Sequence, residues 1–279
     1  MRGGRRGAAG ADELPRAGGG GDAPRACGGA GGGEGGAVSG IEVRRLGLVP
    51  YRKALELQER AARALRERAQ APEVLFVLQH PPVITLGRHA GRADVLLDDA
   101  ALARRGIDLV PTERGGKATV HAPGQVVVYP ILHLLRRRLG PARLVEILEA
   151  AMIDTCRTFG VAASRLPPHP GVWIAGSQDR PARKIGAIGL RISSGISMHG
   201  IALNANNDLS LYEAIVPCGL QGFGTTSLRA ELGRDLDCGA VEDALAWAVR
   251  NELETAGETR PAPPARPDGA PSSRRGVAG

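Results

Sequence analysis

Apolar residues recur at helical spacing in three parts of the chain. Over residues 51–69, leucine and alanine recur every three to four positions with Arg, Lys and Glu between them, which predicts an amphipathic helix. Pro141 suits a first helical turn, and the apolar positions after it predict a helix to about Phe159. A last helix is predicted over residues 240–253, with Gly257 as its stop.

Short apolar runs bounded by turn residues predict strands between these helices. The strands cluster in the middle of the chain with turn-length connections, whereas the helices lie before, between and after them. This order favours an α+β domain with mixed sheets over an alternating βαβ fold. The predicted strands are residues 74–78, 107–110, 126–129, 171–175, 183–191 and 195–203.

The two ends of the chain have a different composition from its middle. Residues 1–40 contain 16 Gly and no aromatic residue, and residues 261–271 contain 5 Pro. Such segments bury too little apolar surface to offset chain entropy, so residues 1–40 and 256–279 are predicted to be disordered tails. All eight aromatic residues lie between Tyr51 and Trp247, which predicts one domain over residues 41–255.

Charge and cysteine usage exclude several classes of protein. The net charge is +7, but no dense basic stripe with interleaved aromatic residues is present, so we expect no nucleic-acid partner. No apolar run approaches about 18 residues, which predicts no membrane span, and no apolar secretory segment is present at the N-terminus. Cys27, Cys156, Cys218 and Cys238 form no C-x-x-C pair, so we expect neither a zinc site nor a disulfide framework, and a reducing cytoplasmic location.

Two glycine-rich stretches fail the patterns of nucleotide-binding loops. Pro111 stands where a P-loop begins with Gly, and Ala118 replaces the Ser or Thr that would bind Mg²⁺. Ser227 stands at the third Gly of a dinucleotide fingerprint that would begin at Gly222.

Residues 114–125 allow two interpretations. A Gly pair followed by Pro-Gly allows close approach of the backbone to a narrow ligand, with Arg114 and His121 on either side. The alternative is a hairpin that carries a solvated arginine.

Three further polar residues have a functional and a structural interpretation. Lys184 opens an apolar, Gly-rich strand, where it is either a surface residue or an inward proton acceptor. His199 lies in an otherwise apolar strand, where a buried histidine with its hydrogen bonds satisfied is the commoner explanation. Cys218 lies on a Pro-Cys-Gly turn that can present a thiol to a cleft, and is either a nucleophile or a buried structural cysteine. Cys156, on the apolar side of a helix, fits the structural role.

Five motifs in order resemble those of the lipoyl(octanoyl) transferases of lipoate biosynthesis. Lys184 and Cys218 are 34 positions apart, which is the spacing of that family. The resemblance covers residues 41–255. The motifs are residues 79–88, 114–125, 184–189, 199–204, and 215–219 together with 226–228.

The resemblance implies a biotin/lipoate protein ligase-like catalytic fold and an acyltransferase reaction without metal or cofactor. Octanoyl-acyl carrier protein would donate its acyl group to Cys218, and Lys184 would lower the pKa of that thiol. A lysine on a lipoyl domain of a 2-oxoacid dehydrogenase complex, or on the glycine cleavage H protein, would then receive the octanoyl group. We expect the enzyme to be a monomer. The implied acyl site comprises Arg114, Gly115, Gly116, Lys117, Ala118, Thr119, Val120, His121, Ala187, Ile188, Gly189, Gly200, Ile201 and Ala202.

The chain departs from the family pattern at two positions. Val120 and Ala122 stand where the family usually has an aromatic residue and a glycine. We expect both on the rim of the acyl tunnel, so that octanoyl remains the preferred donor.

Two other functions are considered. An ATP-dependent lipoate ligase on the same fold would need no nucleophilic cysteine. A non-catalytic adaptor that binds lipoyl domains would tolerate the loss of Cys218, and the presence of both Lys184 and Cys218 argues against it.

Overall fold

The structure, a computed structural model, describes residues 40–216 and 222–258. Within these residues, strands and helices are mixed along the chain. The strands are β1 (Glu42–Leu48), β2 (Val74–Gln79), β3 (Val83–Leu86), β4 (Asp108–Pro111), β5 (Ala118–His121), β6 (Gln125–Ile131), β7 (Ser164–Leu166), β8 (His169–Ile174), β9 (Arg183–Ser193), β10 (Ile196–Asn204) and β11 (Gly224–Thr225). The α-helices are α1 (Tyr51–Glu67), α2 (Asp99–Arg104), α3 (Pro141–Thr158), α4 (Leu228–Leu232) and α5 (Cys238–Glu258), and 3-10 turns form at Arg92–Asp94 and Leu209–Ala214.

The strands form one large and one small sheet. The large sheet has the order β1-β2-β6-β10-β9-β8-β7, with β11 paired to β9, and the small sheet has the order β4-β3-β5. Parallel pairs (β1 with β2, β11 with β9, β3 with β4) occur beside antiparallel ones, so both sheets are mixed. The predicted α+β fold with mixed sheets is confirmed.

Helices cover both faces of the large sheet, and strand β6 shows how. Val126 and Val128 belong to the apolar cluster that includes the buried residues of α3 and α5. Val127 and Tyr129, which alternate with them, belong to the cluster that includes those of α1. Because successive side chains of a strand point to opposite faces, a strand buried on both faces has a continuous apolar sequence. The run at 126–129 predicted this strand for that reason.

The predicted boundaries differ from the structure mainly at helix ends and edge strands. α1 ends at Glu67 rather than residue 69, and α5 continues to Glu258, past the predicted domain end at residue 255. Gly257 therefore lies inside the last turn of α5 instead of ending it. The predicted tails lie outside the described residues, apart from residue 40 and residues 256–258. Among the helices of the described ranges, none is both long enough and apolar enough to span a membrane.

Gly200 lets the two central strands of the large sheet approach closely. A Cβ at this position of β10 would overlap the carbonyl oxygen of Val128 on β6 and lie 2.6 Å from Cδ of Pro130. The obstructing carbonyl is part of the neighbouring strand's backbone, so it cannot move aside without disturbing the sheet.

We therefore expect Gly200→Ala to lower the free energy of unfolding by about 3 kcal/mol, because the added methyl group forces β6 and β10 apart. Chemical denaturation of the two proteins measures the difference. Gly91→Ala is the matched control, since a Cβ there would have no neighbour within 4 Å, and its change should stay within about 0.5 kcal/mol. Equal stability of Gly200→Ala and wild type would show that the sheet tolerates the methyl group.

Candidate active site

A cavity lies between the small sheet and the large sheet. It holds about 930 Å³ of space, including the open solvent at its mouth. The structure brings together at this cavity twelve of the fourteen positions of the implied acyl site, and their role in binding stays a prediction. These are Arg114, Gly116, Lys117, Ala118, Thr119, His121, Ala187, Ile188, Gly189, Gly200, Ile201 and Ala202.

Gly115 and Val120 do not line the cavity. Gly115 donates its N–H to the carbonyl oxygen of Leu190 on β9, at 2.9 Å, and so fixes the loop against the large sheet. Val120 is opposite Ile84 in the small sheet and packs in a separate apolar cluster. Ala122 is also buried and does not line the cavity. The predicted place of Val120 and Ala122 on the tunnel rim is therefore wrong, because both side chains pack into the protein interior.

Arg114 is buried, with 7% of its surface exposed. Its Nε donates to Oγ1 of Thr85 at 3.0 Å, and its Nη2 donates to the carbonyl oxygen of Thr85 at 2.7 Å. A third bond runs from Nη1 to the carbonyl oxygen of Gly115, at 3.0 Å. The hairpin interpretation with a solvated arginine is thus wrong, and the guanidinium instead holds the 114–116 loop on strand β3.

Lys184 lies at the start of β9 and lines the cavity. Its Nζ is 4.7 Å from the centre of the Trp173 ring, which is a favourable distance for a cation over an indole face. Trp173 is almost fully buried, and Lys184 itself is half-buried. Of the two interpretations, the structure supports the inward-facing lysine.

Cys218 lies outside the described residues, as do its neighbours from 217 to 221. The residues on either side of this segment are held in place. Before it, Ile215 forms a bridge with Val95, and Val216 donates its N–H to the carbonyl oxygen of Asp94. After it, Thr225 pairs with Lys184. Ile215 and Phe223 both line the cavity, so described residues on each side of this segment lie at the cavity wall.

A cluster of hydrogen-bonded aromatic side chains forms the buried end of the cavity. The Tyr51 hydroxyl and Nδ1 of His199 are hydrogen-bonded at 3.2 Å. His80 donates from Nδ1 to the carbonyl oxygen of Val49 at 2.6 Å, and accepts the Tyr129 hydroxyl at Nε2 at 2.8 Å. Sequence reasoning did not assign Tyr51 or Tyr129 to the site, because each tyrosine occupies an apolar position of its helix or strand.

Burial keeps the histidines of this end uncharged near neutral pH. It lowers the pKa of His80 to about 4, and, with the positive charges of Arg114 and Arg191, it lowers the pKa of His199 to about 3. Burial likewise holds the pKa of His121 well below its usual value, while His121 donates from Nδ1 to Oε1 of Gln125 at 2.6 Å. None of these histidines is therefore a ready source of positive charge.

A second polar network supports the cavity wall. The Nε2 of Gln125 donates to Oδ1 of Asn204 at 2.9 Å and to the hydroxyl of Tyr212 at 3.0 Å. Asn204 in turn donates from Nδ2 to the carbonyl oxygen of Thr226 at 2.9 Å. These bonds join β6, β10, the 3-10 turn and the segment that follows β11, so the elements around the cavity are fixed relative to one another.

The two described cysteines take no part in this site. Cys156 is fully buried in α3, and burial raises the pKa of its thiol to about 12, which confirms the structural role predicted for it. Cys238 begins α5, and burial raises the pKa of its thiol as well. Across residues 40–216 and 222–258, no group of three or more His, Cys, Asp or Glu side chains is placed to hold a metal ion.

Comparison with known proteins identifies the family. The model of the lipoyl protein ligase A/B catalytic domain matches residues 50–250. An octanoyltransferase of Mycobacterium leprae is 44% identical over 214 residues, which cover 77% of this chain and 88% of that protein. An octanoyltransferase of Mycobacterium marinum is 44% identical over 232 residues, covering 82% and 95%. The chain belongs to the octanoyltransferase family. The resemblance seen in the motifs is thereby confirmed.

Solved structures show that this octanoyltransferase family member shares its fold with lipoate ligases. The bipartite lipoate protein ligase of Thermoplasma acidophilum matches with a TM-score of 0.58 at 15% identity, over 78% of this chain and 91% of that one. A lipoate-protein ligase A bound with ATP matches with a TM-score of 0.57 at 14% identity, over 78% and 93%. At such low identity, these matches establish the fold alone.

Because of the buried histidines, the free energy of unfolding of this protein should depend on pH. The unfolded chain binds protons at these histidines below about pH 6.5, whereas folded His80 does so only near pH 4 and folded His199 near pH 3. The free energy of unfolding should therefore fall as the pH falls from 6.5 towards 4, by up to about 1.4 kcal/mol per pH unit for each histidine. Denaturation curves at pH 7, 6 and 5 measure this slope.

His80→Asn tests whether the slope comes from this cluster. The asparagine does not titrate, so the variant should lose the share that His80 contributes, whatever its absolute stability. The same slope in both proteins would mean that His80 is not the origin of the effect.

Proposed function

We propose that this chain carries an octanoyl group from octanoyl-acyl carrier protein to a lysine of a lipoyl domain, through a thioester on Cys218. The main support is the cavity itself. It combines apolar wall residues, neutral histidines at its buried end and the amine of Lys184, and both described flanks of the Cys218 segment line it. Family membership supports octanoyl as the group transferred.

The apolar wall suits an acyl chain. Ile188 and Ile201 face each other in neighbouring strands and line the cavity, and Ala187 and Ala202 form the next pair along the same strands. Each buried methylene of a bound chain would contribute about 0.8 kcal/mol. The histidines and tyrosines at the buried end are neutral and add no charge of their own, and the nearby guanidinium of Arg114 is hydrogen-bonded to Thr85.

In the first step, the thiol of Cys218 gives its proton to Nζ of Lys184, and the sulfur attacks the carbonyl carbon of the donor thioester. The tetrahedral intermediate then collapses. The bond between the carbonyl carbon and the carrier's sulfur breaks, and the carrier leaves as a thiol with the proton from Lys184. An ammonium group beside the thiolate favours the charged form of the thiol, because opposite charges stabilise each other in a dry site.

In the second step, the amine of the target lysine attacks the carbonyl carbon of the enzyme thioester. An amide bond forms, the bond to Cys218 breaks, and the proton lost by the amine passes to Lys184 and back to the thiolate. The acyl group is already activated as a thioester, so the cycle closes without nucleotide hydrolysis. The partners are thus an acyl carrier protein and a lipoyl domain, among them those of 2-oxoacid dehydrogenase complexes and the glycine cleavage H protein, and we expect the enzyme to act as a monomer.

The thioester on Cys218 can be tested by intact-mass measurement. Mixing the enzyme with octanoyl-acyl carrier protein, without ATP, should add one octanoyl group that hydroxylamine removes. Cys218→Ala should show no adduct, whereas the matched control Cys238→Ser should keep it. An adduct that persists in Cys218→Ala would disprove the assignment, and transfer that depends on ATP would favour a lipoate ligase.

The role of Lys184 can be tested by the pH profile of alkylation at Cys218. Lys184→Met keeps an apolar stem but removes the charge, so the profile of iodoacetamide labelling, read by peptide mass, should move up by about one pH unit or more. Lys184→Arg restores a positive charge and should move the profile back. An unchanged profile in Lys184→Met would mean that another group sets the pKa of the thiol.

A further inference from the structure

A second groove lies beside the acyl cavity. It is formed between α1 and the ends of β3, β4 and β9, where Leu55, Arg88, Thr112 and Arg191 contribute to its walls, and it holds about 1200 Å³, including open solvent. Of the residues that the structure describes, His199 of β10 alone lines both this groove and the acyl cavity. The two spaces meet at this residue, while elsewhere Gly87 of the groove abuts Arg114 and Gly116 of the cavity.

The position of His199 is fixed by contacts on several sides. Its backbone has a φ of +56°, in the left-handed region that residues other than glycine enter at a cost. Its N–H donates to Oε1 of Gln58 on α1 at 2.7 Å, and its ring is hydrogen-bonded to Tyr51 and meets Tyr129 edge-on. A strained backbone persists only where its surroundings hold it, so the ring is firmly placed between the two spaces.

We propose that His199 determines the length of acyl chain the enzyme accepts, by closing the cavity against the groove. This inference rests on the proposed acyl transfer. A chain longer than the cavity would have to pass the place that the imidazole occupies, and beyond it would find the space next to Leu55. Because His199 borders both spaces, removal of its ring should open the cavity towards the groove.

His199→Gly is the variant that tests the wall most directly. Glycine adopts a positive φ at no steric cost, so the substitution removes the ring and relieves the backbone at the same time. We expect the ratio of kcat/KM for dodecanoyl-acyl carrier protein to that for octanoyl-acyl carrier protein to rise about tenfold or more, as is usual when a pocket gains room for further methylenes. The intact mass of the acyl-enzyme, formed from an equimolar mixture of the two donors, gives the same preference without turnover.

Two further variants make the result decisive. His199→Asn tolerates the left-handed backbone and keeps a shorter side chain, so it should raise the ratio by a smaller factor. Leu55→Ala widens the groove but leaves the wall intact, so its ratio should equal that of wild type. Circular dichroism establishes that each variant is folded, and if His199→Gly is not, the ratio of His199→Asn decides.

The outcomes separate this proposal from the function on which it rests. If wild type transfers octanoyl but the ratio is unchanged in the folded His199 variants, the wall does not set chain length. An equal rise in Leu55→Ala would also overturn the proposal, since the effect would then not come from opening the wall. If wild type forms no octanoyl-enzyme at all, the proposed function itself fails.

Discussion

The guanidinium of Arg114 joins the two sheets at the point where the cavity forms between them. It donates to Thr85 on the small sheet, while the adjacent Gly115 donates to Leu190 on the large sheet. Burial of a cation costs free energy unless its N–H donors are hydrogen-bonded. The Arg114 side chain and the 114–116 loop must therefore reach their positions together. A Cβ at Gly87 would lie 2.9 Å from Nη1 of Arg114. Arg114 can therefore take this position only because residue 87 has no side chain. The Arg114 contact and the hydrogen bonds of Gln125 and Asn204 together hold the elements around the cavity.

The cavity divides into two regions of different electrostatic character. Lys184 lies on the wall, pairs with Thr225 of β11, and holds its amine close to the face of Trp173. At the buried end, desolvation keeps His80, His121 and His199 neutral, and at His199 the positive charges of Arg114 and Arg191 act in the same direction. The fold thus separates a region suited to ionic chemistry from one suited to an uncharged chain.

The local sequence pattern predicted the helices and strands with strong hydrophobic periodicity. It missed the strands and contacts that depend on residues far apart in the sequence. The helices at α1, α3 and α5 and the strands β2, β6, β9 and β10 follow from periodicity and turn residues. Strand β1 is a largely exposed edge strand with two adjacent arginines, and β3 begins directly after two prolines, so neither has a clear pattern of its own. The motif residues at the cavity were found by resemblance. The contact of Tyr51 with His199 spans 148 positions, and no local signal predicts such a pair.

Because Lys184 contacts Trp173, the intrinsic tryptophan fluorescence of the protein is sensitive to the state of the cavity wall. The chain has two tryptophans, and they occupy opposite environments: Trp173 is 1% exposed, and Trp247 on α5 is 60% exposed. A buried indole emits at shorter wavelength than one in water, so the two contributions can be separated in the emission spectrum. A change in the charge or position of the amine 4.7 Å from the Trp173 ring would alter the blue component alone. Occupancy of the cavity can thus be followed by light, without a label.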